Sequence, residues 1–430
     1  MLRSRDLRAS RDVNLWRIPL LLTVLGIALF GLTMVPDVLD ALGIIHIPSW
    51  ITMGSIDDAR AILSAMLGSV STVLALIFSV ALLVLSMVAT LFGPRLLSRF
   101  LHDWVTQFTI GLFMATFVYL CLVFLVTHQD AHSRFVPQIS LLTSWFLVVA
   151  SFGFLVFYSH RIASSIQNPD LVAKIVDDMQ PSVAVPQRHR DVSPLEPTVV
   201  AEQIAGGGAV EARASGYLQF VDHAALLDAA SRAGATIHVL YRQGQFVFRG
   251  ETLARVWPKD RLASLSPLVA RHVSLGRHRV LAQDSEFGIA QIVEIAIRAL
   301  SPAVNDTFTG VACVDWAGDA LLALADGPAS DGCWYDEQGV LRLRLRPLHL
   351  DRLVKMAFDQ IRQAGSDNPA VLIRILDTIR RIAPRLQGDR PRKALLDQAD
   401  AVREAASLRA LVHMDKDDVE AAYERVQALC

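Results

Sequence analysis

Four long apolar stretches before residue 160 constrain this chain more than any other feature. They lie at about 17–35, 60–91, 105–127 and 138–158. Each approaches or exceeds the roughly 20 residues that a helix needs to cross hydrocarbon. In lipid no water satisfies the backbone, so a spanning segment of this kind must be a helix. The second stretch is longer than a span requires and is expected to tilt or project from the bilayer. Asp57 and Asp58 suit the first turn of its helix.

Orientation follows from basic residues in the short flanks. Arg3, Arg5, Arg8, Arg11 and Arg17 precede the first stretch, Arg95 and Arg99 lie between the second and third, and Arg161 follows the fourth. The opposite loops hold chiefly Arg60 and Arg134. Both termini are therefore expected on the cytoplasmic side of a bacterial inner membrane. The basic lead resembles a secretory signal, but no small-x-small cleavage site follows, so the first stretch reads as a retained anchor. No stretch carries an acidic or basic residue near its middle, which argues against a proton-coupled carrier or a charge-based voltage sensor.

Within the second stretch, Ser64, Gly68, Thr72, Ala75, Ser79 and Ser86 recur at helical spacing. Such a stripe lets helices approach closely in lipid. It would equally line a narrow pore, and the two readings are compatible around a central axis. Gly93-Pro94 ends the stretch and breaks or bends a helix there. An ordinary stop before a short amphipathic link is the simpler reading, and a hinge the functional one.

Composition shifts after residue 160. The formal net charge of the whole chain is -1, so no global field would recruit nucleic acid. Cys121, Cys313, Cys333 and Cys430 show no CxxC spacing and no zinc pattern, and free thiols are expected. No metal or other cofactor is implied. The expected layout is a transmembrane domain (1–164), a Pro- and Gly-rich linker (165–210) that is part helical at Asp170 to Met179, a small β-rich module (211–262) and a mainly helical cytoplasmic domain (263–430). The fold class is thus an α-helical membrane protein of about four spans with a C-terminal α+β cytoplasmic domain.

In the β module, residues 216–221 read as a strand, and Asp222 is expected to cap an amphipathic helix. Shorter strands are expected at 236–241, 245–248 and 252–257. Gly244, Val247, Gly250 and Leu253 carry spacing that resembles the half-barrel repeat of biotinyl and lipoyl domains, without the carrier lysine. A helix follows over about 284–300, stopped by Ser301-Pro302, and Asn305-Asp306 begins another. Arg277, Asp284, Glu286, Glu294, Arg298, Asn305 and Asp306 form a candidate polar cluster. A ligand site and a structural network of caps and ion pairs both account for them. Residues 341–346 alternate leucine and arginine as a strand with one wet face, and four more helices complete the chain.

Several segments together resemble one family: 54–71, Phe92-Gly93-Pro94-Arg95-Leu96-Leu97, Gly216-Tyr217-Leu218-Gln219, Asp284-Ser285-Glu286-Phe287-Gly288, 298–306 with its Ser-Pro-x-x-Asn-Asp core, and Asn368-Pro369-Ala370-Val371-Leu372. The chain is similar to the bacterial membrane proteins of domain of unknown function 2254. The resemblance covers nearly the whole chain and implies four spans with a cytoplasmic domain. It brings no activity that transfers to residues here.

Three functions follow for comparison. One is a homo-oligomeric channel or conduit, with the second span lining the axis above a cytoplasmic vestibule. Another is a membrane-anchored sensor or scaffold whose cytoplasmic domain binds a ligand or protein partner. The third, an enzyme, finds no P-loop, no Gly-x-Ser-x-Gly and no His-Glu-x-x-His in the sequence.

Overall fold

The computed structural model describes residues 16–45, 56–92, 104–129, 136–166, 171–179, 197–326, 332–386 and 388–429. The chain divides into two compact units, Met1–Asn168 and Pro169–Cys430.

Among the described residues the first unit holds four helices: α1 (Arg17–Ala41), α2 (Ile56–Phe92), α3 (Trp104–Gln129) and α4 (Gln138–Ile166). Helix α3 is central and packs against the other three. Its buried residues, among them Val105, Thr109, Phe113, Tyr119 and Val123, accordingly fall on several sides. Glycine decides how near α1 comes. A Cβ added at Gly111 would lie 2.7 Å from Leu22 Cδ1 and 2.9 Å from Pro19 Cα, and one at Gly26 would lie 3.1 Å from the Ala115 carbonyl oxygen. Hydroxyls then bond between helices, as Thr33 Oγ1 with Tyr119 OH at 2.8 Å and Thr116 Oγ1 with Ser151 Oγ at 2.9 Å. This close, hydroxyl-bonded packing is how helices associate where lipid competes equally for apolar surface.

Two features depart from the sequence reading. Helix α1 does not stop before Pro36-Asp37 but runs on to Ala41. Asp37, only 2% exposed, lies inside it and accepts hydrogen bonds from Ile139 N (2.8 Å), Ser140 N (3.0 Å) and Ser140 Oγ (2.7 Å). The first N–H groups of α4 have no intrahelical partner, and a carboxylate from another helix fills that role. The second departure is a count. Among the described residues five helices, not about four, are long and apolar enough to cross a membrane.

The fifth lies in the second unit, as the 19-residue stretch Thr307–Ala325 with mean hydropathy 1.4, against 2.1 or more for the other four. That unit begins with α5 (Leu171–Met179) and α6 (Pro197–Gly206), inside what the sequence presents as a linker. A five-stranded sheet follows the order β1-β5-β3-β8-β7, built from β1 (Gly208–Glu211), β3 (Thr236–Val239), β5 (Thr252–Trp257), β7 (Cys333–Tyr335) and β8 (Leu341–Arg344). Among the described strands only β3 and β8 pair in parallel. A second sheet, β4-β2-β6, joins β2 (Gly216–Val221) to β4 (Phe246–Val247) and β6 (Val273–Gly276). Because β4 and β5 enter different sheets, the glycine spacing around residues 244–253 marks turns between sheets and not a half-barrel repeat.

Helices α7 (His223–Ala233) and α8 (Leu262–His272) pack on the five-stranded sheet, burying Leu226, Ala230, Leu265 and Val269 against Ile237, Val256 and Leu343. Asp222 Oδ1 caps α7 by accepting from Ala225 N at 3.2 Å, and Gly234 ends it at φ 61°. The helical part comprises α9 (Ser285–Ala299), α10 (Thr307–Asp326), α11 (Leu350–Ala364), α12 (Pro369–Ile382), α13 (Asp389–Leu408) and α14 (His413–Gln427). Helix α10 packs against α9, α11 and α12.

Candidate functional site

Two places in the sequence pointed to function, and each has a definite location. On α2, Ser64, Gly68, Thr72, Ala75, Ser79 and Ser86 are all exposed on the protomer. At about 100° per residue these six fall within an arc of about 80°. Ala59, Leu63 and Val70 are fully buried, Ile77 nearly so, and their arc is centred roughly opposite on the same wheel. The small residues therefore do not form the seam between helices of one chain. That seam is made by Gly26, Gly111 and Ala115 on α1 and α3. The hydroxyls of the α2 stripe turn back on their own helix: Thr72 Oγ1 donates to Gly68 O at 2.8 Å and Ser79 Oγ to Ala75 O at 3.0 Å. Gly93 and Pro94 lie outside the described residues.

The seven-residue polar cluster separates into three parts. Asp284 and Glu286 stand at the start of α9, Glu294 and Arg298 pair at 3.5 Å along it, and Asn305 and Asp306 begin α10. Twelve residues of helix separate Glu286 from Arg298, about 18 Å of rise. Arg277 is exposed on the chain after β6. Asp306 caps α10 through Thr309 N at 3.0 Å, after Asn305 turns the chain at φ 51°. The first part is thus held away from the other two, which adjoin, Asp306 N donating to the Ala299 carbonyl at 2.7 Å.

The first part gathers partners that the sequence did not suggest. Asp284, 3% exposed, caps α9 through Phe287 N at 3.0 Å and receives Arg279 in a bidentate pair, both bonds at 2.8 Å. Burial pushes its carboxyl above the ordinary carboxylate range, against the pull of Arg279 and the Phe287 N–H. Gly244, at φ 84°, passes so close that any Cβ would overlap Asp284 Oδ2. Glu286 is likewise buried, with Oε1 at 3.1 Å from Arg242 Nη2 and 3.3 Å from Arg352 Nε. Burial, and then Arg352 and Arg346, disfavour the Arg242 charge, while Glu286 supports it. The group ties the turn after β3 to α9 and α11. The charged ends of Arg242, Arg352 and Glu286 meet in this brace, while Arg242 Nε is buried without a hydrogen-bond partner. Among the described residues no cluster of three or more His, Cys, Asp or Glu is placed to hold a metal ion.

A family model described as a predicted membrane protein, domain of unknown function 2254, matches residues 12–381. The chain belongs to this family. Uncharacterized proteins of Mycobacterium tuberculosis and Mycobacterium bovis are each 28% identical to it over 367 residues, covering 82% of this chain and 69% of theirs. No solved structure matches. The 2254 match takes in both the membrane-type helices and the brace at Asp284 and Glu286. One of the resembling segments also explains a close contact. Gly288 sits where a Cβ would overlap Met179, so this glycine lets α5 pack onto α9.

Proposed function

We propose that this chain is a homo-oligomeric membrane protein in which α2 of each copy turns its small-residue face toward a shared axis, forming a conduit. The observation that carries the reading is the bare face of α2. Gly68 and its exposed neighbours lie opposite a fully buried face, and a Cβ at Gly68 would meet nothing within 4 Å. Small residues on a helix face in lipid favour close approach by another helix, and among the described residues no helix of the same protomer takes that place. Four spans, α1 to α4, cross the bilayer in this reading. Helix α10 is the core helix of the second unit, since it carries Asp315, which pairs with Arg374 at 3.5 Å, and Asp319. In this reading both termini face the cytoplasmic side of the inner membrane, and the arginine distribution supports that orientation.

The test is light scattering on detergent-purified protein with the micelle subtracted, joined to cysteine cross-linking in native membranes. With the natural cysteines replaced by serine, Thr72→Cys and Ser79→Cys are expected to cross-link copies, whereas Leu63→Cys is not. A ring of four or more copies, with current in reconstituted bilayers that Ser79→Trp alters, supports the conduit. A monomer removes the axis and the reading with it.

A further inference from the structure

The second unit contains a cleft of about 410 Å³ that lies outside the brace and takes in the wet face of the Leu-Arg alternation at 341–346. Its floor is a sheet face. Strands β3 and β8 run parallel with His238 paired to Arg344, so both side chains leave the same side of the sheet. Leu343 and Leu345 are buried in the core on the other side. Arg346 returns to the side of Arg344, and the chain then reaches His349, the N-cap residue of the 15-residue helix α11, whose side chain makes no cap bond. Helix α6 forms a wall through Ile204.

The charge of this cleft is one-sided. Arg344, Arg346 and His349 line it, and no carboxylate does. Neither arginine forms an ion pair among the described residues, although most arginines of this unit do. The field of Arg346 extends to the buried Arg242, where it adds to that of Arg352. Beneath them lies His238, 1% exposed. Its Nε2 faces Gln203 Oε1 at 3.3 Å, which places the proton on Nε2, and its Nδ1 is buried with no hydrogen-bond partner. Burial, and then Arg344, hold this imidazole at about 4, so it is neutral at physiological pH and offers Nδ1 as an acceptor. A buried acceptor without a partner is costly, and beside two unpaired guanidinium groups it specifies a complement. That complement carries negative oxygens and one donating hydroxyl. A volume of this size suits a small molecule.

We infer that this cleft binds a small phosphate-bearing anion, with Arg344 and Arg346 on its charged oxygens and His238 Nδ1 accepting from a ligand hydroxyl. The inference does not depend on the conduit. Arginine binds phosphate through paired, charge-assisted hydrogen bonds, and the helix N-terminus at His349 adds favourable potential. The same chemistry is offered by a free solute and by an anionic phospholipid headgroup.

The experiment uses the full chain in detergent, titrated calorimetrically with inorganic pyrophosphate, with thermal melting to confirm that each variant folds. Saturable binding is expected, weakened about tenfold or more by Arg344→Ala and by Arg346→Ala, in line with the loss of one charged hydrogen-bonding partner. Arg390→Ala, on an exposed turn of α13, leaves it unchanged. No saturable binding at millimolar pyrophosphate, or binding that all three variants reduce alike, overturns the inference. His238→Phe, which removes the acceptor, is expected to weaken a phosphate monoester bearing a free hydroxyl more than pyrophosphate at a pH where the latter is fully ionised. Equal effects would overturn the role given to Nδ1. Repeating the titration in nanodiscs of phosphatidylcholine and of phosphatidylglycerol separates the two sources. Competition by phosphatidylglycerol assigns the cleft to a headgroup, and its absence assigns it to a solute.

Discussion

The guanidinium of Arg60 closes the last turn of α3, donating from Nη2 and Nε to the carbonyl of Thr127, 67 residues later, at 2.6 and 3.1 Å. The last carbonyls of α3 have no partner within their own helix, and a cation there also suits the negative end of the helix dipole. Asp37 does the converse for the first N–H groups of α4. Each charged side chain thus compensates backbone groups that would otherwise be left bare. Arg60→Ala is expected to destabilise the first unit by about 1–3 kcal/mol, the range for a hydrogen bond to a charged group. Asp37→Ala should cost about the same, and Asp37→Asn less, because the amide oxygen still accepts. Thermal inactivation in mild detergent measures all three. Equal midpoints for Asp37→Ala and Asp37→Asn would refute the capping role.

Glycine at two places on the membrane-type helices has opposite meanings. At Gly111 an added methyl meets Leu22 and the backbone of Pro19, neither of which can retreat without separating α1 from α3. At Gly68 it meets nothing within 4 Å. Gly111→Ala should therefore lower stability by about 1–3 kcal/mol through overpacking. Gly68→Ala should leave the isolated protomer unchanged or slightly stabilised by its better helix propensity. If Gly68→Ala lowers the oligomer fraction in the same detergent, the methyl has met a neighbouring copy. Size-exclusion profiles beside the melting curves separate these effects.

How much of this was legible in the sequence depends on the range of each interaction. The apolar runs, the strand at Gly216–Val221, the Asp222 cap and the Leu-Arg alternation in β8 are local patterns, and they were readable. The span count was less so, because α10 is apolar enough to qualify by hydropathy while packing as one helix among several. Which face of α2 is buried could not be read, since both faces suit a helix in lipid and only the position of α3 decides between them. Asp37 meets Ser140 across 103 residues, and the sequence placed it just beyond the end of α1. The geometry of the polar cluster was not legible in the sequence. Neighbours in sequence were grouped, but α9 holds its two ends apart, while Arg242 reaches Glu286 from a distant turn. The cleft at His238 was not legible, because the wet-face arginines of the 341–346 alternation meet this histidine only when two strands pair in register.

Gly244 is the tightest of these long-range fits. Its φ of 84° is costly for any residue with a side chain, and a Cβ there would displace the Asp284 carboxylate from Arg279. Gly244→Ala is expected to destabilise the second unit by roughly 2–4 kcal/mol. Gly250→Ala shares the positive φ but has open space around its Cβ, so it should cost only about 1–2 kcal/mol. Denaturant unfolding followed by tryptophan fluorescence compares the two. Equal losses would mean that the backbone angle alone, and not the Asp284 contact, requires glycine at 244.

His223 gives the second unit a dependence on acid. Its ring stacks on Trp334 with centroids 5.0 Å apart, and Nε2 is buried without a hydrogen-bond partner. Burial lowers its pKa from 6.5 to about 4. Above pH 6.5 the imidazole is neutral in both the folded and unfolded chain and has no effect on the balance. Below that value the unfolded chain takes up a proton that the folded one refuses, so stability falls until the folded ring also protonates near pH 4. The slope is up to about 1.4 kcal/mol per pH unit for one such group. His238, also held at about 4, adds to it in the same direction. His223→Phe keeps a ring against Trp334 and removes the proton site. It is expected to flatten the fall in stability between pH 6.5 and 4 while changing little above pH 7, as read from unfolding midpoints across that range. An unchanged slope in His223→Phe would show that other groups carry the acid sensitivity.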